Sequence, residues 1–583
     1  MRKTKIICTL GPSSTRPDVL RDMMLAGMDI ARFNFSHGSH AEHLEKLELV
    51  RSLRAEVQRP VATMLDTKGP EIRLGTFTEG AVQLLSGDSF VLTPEPVEGD
   101  KSRVAVSYQE LYRDVAPGTA ILIDDGLIEL RVEQICGTEI HCTVVNGGRV
   151  SNRKGVNVPG VHLSLPFLSD KDKADLLFGI EQRFDFVAAS FTRTAQDIEE
   201  MRQFLEQHGG RAIKIIAKIE NAEGVEHIDE ILRASDGIMV ARGDMGVEIP
   251  LQDVPVHQKT LIKKAYMAGK HVITATQMLE SMINNPRPTR AEANDVANAI
   301  YDGTSAIMLS GESAAGKYPV EAVATMATIA LRTEQDIDYR GRFIRGSYHP
   351  NDVTNAISHA TCTTAHDLSA AAIISITQSG QTARMCSRFR PEIPIIACTT
   401  SERVCRQLSM SWGVAPLVME MQSDTDALFQ CAIDTARSAG YVKDGDLVVI
   451  TAGVPLGVPG TTNLLKVAVV GDILAKGTGQ NSFHTVGTLC VVKSEAEALR
   501  NFKQNDILVM PTVSQCTLDL LKKASGIIIE DIELDAQAKQ LCRERGIPAI
   551  TGVCGATAIL RGGIAVGVDA SKGFVYNAAS PNY

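Results

Sequence analysis

A lysine and a glutamate two residues apart, Lys218 and Glu220 in the segment IIAKIEN, carry the strongest chemical signal in the sequence. Residues i and i+2 of a strand share a face, so an ammonium and a carboxylate would project side by side. Asp244 follows at the end of the next apolar run, within ARGDMG. Glu220 and Asp244 are hard oxygen ligands suited to Mg²⁺ or Mn²⁺, and a metal held by two carboxylates keeps room for substrate oxygens. A structural ion pair is the alternative. Gly243 and Gly246 would let backbone N–H groups approach a carboxylate or phosphate, the more so if a helix begins there. Arg32, Arg73 and Lys154 are further cations; arginine forks suit phosphates, although each taken singly also reads as surface charge. The stretch GESAAGKY at 311–318 nearly matches the phosphate-binding pattern G-x-x-x-x-G-K-[ST], but Tyr318 stands where a hydroxyl must hold the metal, so no P-loop is expected.

These residues need strands to position them. Short β-branched runs at 3–9, 29–35, 61–66, 186–191, 213–220, 237–244, 271–276 and 305–310 alternate with helical-period segments. That rhythm predicts a parallel α/β sheet, and eight such units predict a (β/α)8 barrel. Their apolar character suits strands covered on both faces. Polar groups cluster where the runs end: Asn34 and Ser36, Asp66 and Lys68, Ser190, Lys218 and Glu220, Arg242 and Asp244, Thr276, Ser310 and Glu312. In a barrel these ends converge on the mouth, where active sites sit.

Residues 70–165 break the rhythm with short alternating strands and Gly-rich turns, which predicts an inserted antiparallel β-barrel able to act as a lid. The barrel domain is then 1–69 with 166–345. A second α/β pattern spans 346–474, and AKGTGQN at 475–481 introduces a last unit, 475–583. Within the second pattern, Thr377-Gln378-Ser379-Gly380-Gln381-Thr382 places hydroxyls and a glycine between a strand and a helix, a good phosphate nest.

The 583 residues are 44% hydrophobic and 22% charged, as in folded proteins, with a net charge of −10 that disfavours a general nucleic-acid binder. No apolar run is long enough for a membrane span, and the N-terminus does not read as a secretory signal. The 12 cysteines show no Cys-x-x-Cys pairing, so reduced, buried thiols in a cytoplasmic protein are expected.

The strings ARFNFSHG (31–38), MLDTKGPEIR (64–73), KGVNVPG (154–160), ASFTR (189–193), IIAKIEN (215–221), ARGDMGVEIP (241–250), ATQMLESM (275–282), PTRAEANDVANAI (288–300) and LSGESAAGKYP (309–319) resemble those of the pyruvate kinase family, in that family's order. The resemblance implies phosphoryl transfer from phosphoenolpyruvate to ADP with Mg²⁺ (or Mn²⁺) and K⁺, in a cytoplasmic homotetramer. It implies that Lys218 contacts the transferring phosphoryl group and the enolate oxygen, and that Glu220 and Asp244 hold Mg²⁺. Arg32 would brace phosphate, Gly243 and Asp244 amides would receive the carboxylate, and Thr276 would sit at the protonated face. Asn34, Ser36, Asp66 and Thr67 would bind K⁺; Asn34, His37, Arg73 and Lys154 would line the nucleotide site. Thr377, Ser379, Gly380 and Thr382 would bind a phosphorylated effector under a loop at 453–463. Family members with Glu at the position of Glu71 require K⁺, whereas those with Lys there can dispense with it.

Residues 475–583 resemble the swivelling phosphohistidine domain of phosphoenolpyruvate-utilising enzymes, but Gln537 takes the histidine's place. A barrel lyase or mutase acting on pyruvate-like acids, and a phosphohistidine carrier, are the competing readings. The first would not need Arg73 and Lys154 at a lid, and the second needs the missing imidazole.

Overall fold

A computed structural model describes residues 1–346, 352–422, 424–453, 462–471 and 473–578. The eight apolar runs form a closed barrel of parallel strands: β1 (Lys5–Thr9), β2 (Ile30–Asn34), β3 (Ala62–Asp66), β4 (Phe186–Ala189), β5 (Lys214–Ile219), β6 (Gly237–Ala241), β7 (His271–Ala275) and β8 (Ala306–Leu309). Neighbours in the chain are neighbours in the barrel, and β8 closes it against β1 with Lys5 opposite Ala306.

Alternate strand residues point to two cores. Ile7, Ile30, Met64, Phe186, Ile216, Met239 and Ile273 fill the interior, while Ile6, Cys8, Leu65, Val187, Ile215, Ile238 and Val272 pack under the surrounding helices. Burial on both faces is why the strands read as continuous apolar runs rather than as alternation. Several strands stop before the expected boundary. β6 ends at Ala241 rather than Asp244, because Arg242–Glu248 turns into a helix; β4 ends at Ala189, and Phe191 takes a left-handed φ of 55°.

The insertion leaves after β3. Gly69 makes that exit possible: its φ is +70°, and a Cβ there would lie 2.8 Å from the Ser190 Cβ. The lid is a seven-stranded sheet whose edge strands, Ile72–Arg73 and Arg103–Ala105, approach through a bridge between Leu74 and Val106. Its apolar side forms a separate core around Phe90, Leu92, Ile121, Leu130 and Val144. The expectation of purely antiparallel pairing fails at one place: Ser89–Thr93 and Arg103–Ala105 run parallel, since the chain between them crosses back instead of making a hairpin.

The chain divides into two compact units. The barrel and lid belong to the first, residues 1–362 with 375–420 and 452–463; the second comprises 363–374, 421–451 and 464–583. In the first, Ile395–Thr399 pairs in parallel with Val414–Val418. In the second, an eight-stranded mixed sheet has a parallel centre of His484–Val491, Ile507–Met510, Gly526–Ile529 and Ala549–Thr551. No helix among the described residues is long and apolar enough to cross a membrane.

Candidate active site

The strand ends bring four charged side chains into one buried cluster at the barrel mouth. Lys218 Nζ lies 2.9 Å from Glu220 Oε1, 3.2 Å from Asp66 Oδ1 and 2.8 Å from Ser190 Oγ. Arg32 Nε donates to Asp66 Oδ2 at 2.6 Å, and its Nη1 donates to Thr9 Oγ1 at 2.8 Å. The side chains of Asp66 and Glu220 are each 1% exposed, and that of Lys218 11%. Burial alone would lower Lys218, but Asp66 and Glu220 outweigh it and hold the ammonium above its ordinary value. Burial would likewise raise Asp66; Arg32 and Lys218 outweigh it and hold the carboxyl below the usual range.

Glu220 is the exception in this cluster. Burial, with Asp244 adding its charge, pushes its carboxyl up to about 7 against the pull of Lys218. Its Oε2 accepts the Phe191 N–H at 2.6 Å, while its buried Oε1, although close to Lys218, has no hydrogen bond of good geometry. A buried carboxylate oxygen left in that state has a high affinity for more positive charge. Asp244 stands half-buried in the first turn of the helix Arg242–Glu248. The pair therefore fits a hard cation. Among the described residues no group of three or more His, Cys, Asp or Glu side chains could hold a metal, so such a cation would take its other ligands from elsewhere.

Thr276 follows β7 with φ 68°, and Gln277 with φ 53°, a strained conformation for a β-branched residue. The Thr276 hydroxyl donates to Ala275 O at 2.7 Å and accepts the Gly243 N–H at 2.8 Å. The Gly243 amide is therefore engaged, and receiving a carboxylate there would require that bond to open.

Asn34 and Asp66 are register partners at the ends of β2 and β3. Asn34 Oδ1 accepts the Ser36 N–H at 3.1 Å, and the Thr67 hydroxyl donates to Ala188 O. His37 is exposed on the following turn. In the lid, Lys154 Nζ pairs with Asp124 Oδ1 at 2.8 Å, and Arg73 Nη2 with Glu71 Oε1 at 2.8 Å. A cleft of about 470 Å³ separates lid from barrel and is lined by Asp244; Glu71, Asn157, Phe191, Arg193 and Glu248 are also among its walls. Across it Asn157 Nδ2 donates to Glu248 Oε1 at 2.8 Å, tying the lid to the helix that carries Asp244.

Sequence reasoning did not single out Asn157, Glu248 or Phe191 as site residues. Their one signal was position: a lid strand, the end of the Asp244 helix and a strand end.

The polar turn 377–382 enters the helix Gln381–Ser387. Thr377 Oγ1 accepts the Gly380 N–H at 3.0 Å, Ser379 Oγ accepts the Gln381 N–H at 3.4 Å, and Thr382 Oγ1 shares a hydrogen bond with Thr462 Oγ1 at 2.7 Å. Most of the expected covering loop, 454–461, lies outside the described residues. Gln537 sits in the first turn of the helix Ala536–Arg545, where its N–H donates to the Asp535 carboxylate at 2.9 Å.

Residues 1–323 match the family described as "Pyruvate kinase, barrel domain", 355–468 "Pyruvate kinase, alpha/beta domain" and 502–573 "PEP-utilising enzyme, mobile domain". The chain is 50% identical to a pyruvate kinase of Geobacillus stearothermophilus over 578 residues, covering 99% of this chain and 98% of that one. It is 48% identical to one of Sporosarcina psychrophila over 581 residues, 99% of each chain. A pyruvate kinase of Clostridium acetobutylicum is 54% identical over 473 residues, which is 100% of its length but 81% of this chain. With a closed parallel barrel, an inserted lid and a buried lysine–carboxylate cluster at the mouth between them, the chain belongs to the pyruvate kinase family.

Proposed function

We propose that this protein transfers the phosphoryl group of phosphoenolpyruvate to ADP, giving pyruvate and ATP. The observation that carries the reading is the buried cluster of Lys218, Glu220, Asp66 and Arg32 beside Asp244, which lines the cleft under the lid. Phosphoryl transfer asks a protein mainly for positioning and charge, and this cluster supplies fixed charge with little water.

Lys218 stays protonated and meets the phosphoryl and enolate oxygens, where its charge counts most as negative charge develops. Arg32, held by Asp66 and Thr9, braces the phosphate. Glu220 and Asp244 hold Mg²⁺ (or Mn²⁺), which when bound neutralises charge on substrate oxygens. The amides of Gly243 and Asp244 receive the substrate carboxylate. Thr276 stands at the face where enolpyruvate takes its proton, working through water.

Asn34, Ser36, Asp66 and Thr67 form the K⁺ site. Asp66 is already committed to two cations, so its part there is to fix the neighbouring oxygens as much as to supply one. Asn34, His37, Arg73 and Lys154 line the nucleotide site, the last two freed from Glu71 and Asp124 when the lid closes on ligand. Thr377, Ser379, Gly380 and Thr382 bind a phosphorylated activator. The domains run 1–69 with 166–345, 70–165, 346–474 and 475–583, and the protein works as a cytoplasmic homotetramer.

The test is a steady-state assay with phosphoenolpyruvate, ADP, Mg²⁺ and K⁺, reading ATP and pyruvate together. Equal amounts of both support the reading; pyruvate without ATP, or neither, refutes it.

A further inference from the structure

Arg242 holds the turn that aims Thr276. Its Nη2 donates to Thr276 O at 2.6 Å, and its Nε to Ala275 O at 3.3 Å. Its Nη1 pairs with Asp295 Oδ1 at 2.7 Å and reaches Gln258 Oε1 at 3.3 Å, and its Nη2 also contacts Met278 Sδ at 2.9 Å. The side chain is 12% exposed. The guanidinium thus grips two successive carbonyls just where the backbone enters the left-handed region, at Thr276 and Gln277. A threonine left to itself avoids that conformation, so an external constraint must hold it there. One residue later in the chain, the Gly243 N–H fixes the Thr276 hydroxyl. Before substrate binds, the residues just after β6 therefore clamp the end of β7 twice, once by side chain and once by backbone; when a carboxylate takes the Gly243 N–H, the Arg242 grip remains, and Asp295 orients it.

We propose that Arg242, oriented by Asp295, is the positioning residue for the Thr276 hydroxyl, and that its forked geometry rather than its charge sets the efficiency of proton delivery to enolpyruvate. The inference rests on the reading of Thr276 given above. In that step the C2–C3 double-bond pair takes the proton at C3 while the enolate oxygen closes the carbonyl. Its reverse removes a methyl proton from pyruvate, so it can be measured apart from net turnover. An ammonium cannot span both carbonyls and the carboxylate as a guanidinium does, so Arg242→Lys removes the clamp and keeps the charge.

Full-length wild type, Arg242→Lys, Asp295→Asn and Thr276→Val would be incubated with pyruvate, ATP, Mg²⁺ and K⁺ in D₂O. Proton NMR follows loss of the methyl signal, and the forward assay gives kcat and KM for phosphoenolpyruvate. Amide exchange of the unliganded protein reads the Gly243 N–H. Arg242→Lys is expected to slow methyl exchange about tenfold or more, with KM changed less than about threefold and the Gly243 amide less protected. Asp295→Asn should show a smaller effect of the same kind, and it carries the test if Arg242→Lys does not fold.

Wild-type exchange in both variants overturns the inference. So does a rise in KM that matches the loss of exchange, which would make Arg242 a general prop of the site. Full methyl exchange in Thr276→Val would remove the Thr276 reading and this inference with it, while leaving phosphoryl transfer standing. Absence of forward turnover in the wild type would instead sink the proposed function itself.

Discussion

Replacing Lys218 by methionine tests the centre of the site in two measurable ways. The cluster holds two cations, Lys218 and Arg32, against two carboxylates, Asp66 and Glu220, each 1% exposed. Removing Lys218 leaves two buried anions facing one guanidinium. Breaking a buried pair in this way typically costs about 3–5 kcal/mol, because the remaining charge stays desolvated. Some of that is recovered if Glu220, already pushed up to about 7, takes a proton. A fall in melting temperature of about 10 °C without metal is therefore expected, at about 2–4 °C per kcal/mol for a large domain, and Mg²⁺ should restore part of it. Turnover should fall about 10²–10³-fold at saturating substrate, the scale for losing one preorganised charge in a transition state. The control is Ser190→Ala, which removes one neutral partner shared by Lys218 and Asp66 and should cost less, about 1.5–3 kcal/mol. Calorimetry and the ATP-forming assay read both effects. A folded Lys218→Met enzyme with near wild-type kcat would show that the buried lysine serves stability alone.

In a buffer whose only monovalent cation is tetramethylammonium, wild-type activity should be low and restored by K⁺. Glu71→Lys should be partly independent of K⁺, and since Glu71 pairs with Arg73, the variant also frees Arg73; full wild-type activity without K⁺ contradicts the assignment. Joint replacement of Thr377, Ser379 and Thr382 by alanine should blunt activation by a sugar phosphate or nucleoside monophosphate while leaving basal turnover nearly unchanged, and undiminished activation would place the effector elsewhere. The full chain incubated with phosphoenolpyruvate should carry no acid-labile phosphate, because Gln537 has no imidazole; phosphate found there by mass spectrometry would refute this. His271, buried at the start of β7, is held at about 3 by burial, with Arg384 adding to the effect. It stays neutral when folded and protonates when unfolded, so stability should fall by about 1.4 kcal/mol per unit as pH drops from about 6.5 towards 3. His271→Gln should lose that slope in urea unfolding.

The barrel was legible because each strand is buried on both faces, which leaves an unbroken apolar run such as IIAKI or AIML for the eye to find. The polar ends of those runs were legible for the same reason: where the apolar pattern stops, the mouth begins. Lys218 and Glu220 came together as expected from two-residue spacing. What spacing could not express is contact across the barrel. The sequence places Asp66, at the end of β3, at the mouth, but assigns it no partner beyond a monovalent cation shared with Asn34. In the fold it also meets Lys218 of β5, two strands away, and that neighbour is set by barrel closure rather than by sequence distance. Arg242 was hidden differently. It looked like the leading residue of a glycine-rich turn, yet its side chain leaves the turn for the carbonyls of β7.

In the last unit, the residue that the resemblance puts at a phosphoacceptor's place is a glutamine, Gln537. The unit's sheet has four parallel central strands, and Gln537 lies in the first turn of the helix after Asp535. Two changes close that position. Gln537 offers no nucleophilic ring nitrogen, and the Asp535 carboxylate already accepts the Gln537 N–H. A helix N-terminus attracts anions through its free N–H groups and its dipole; a capping carboxylate takes up one of the former and repels the charge the latter would draw. Restoring histidine alone at 537 would therefore leave a phosphoryl group facing the Asp535 carboxylate two residues from its acceptor.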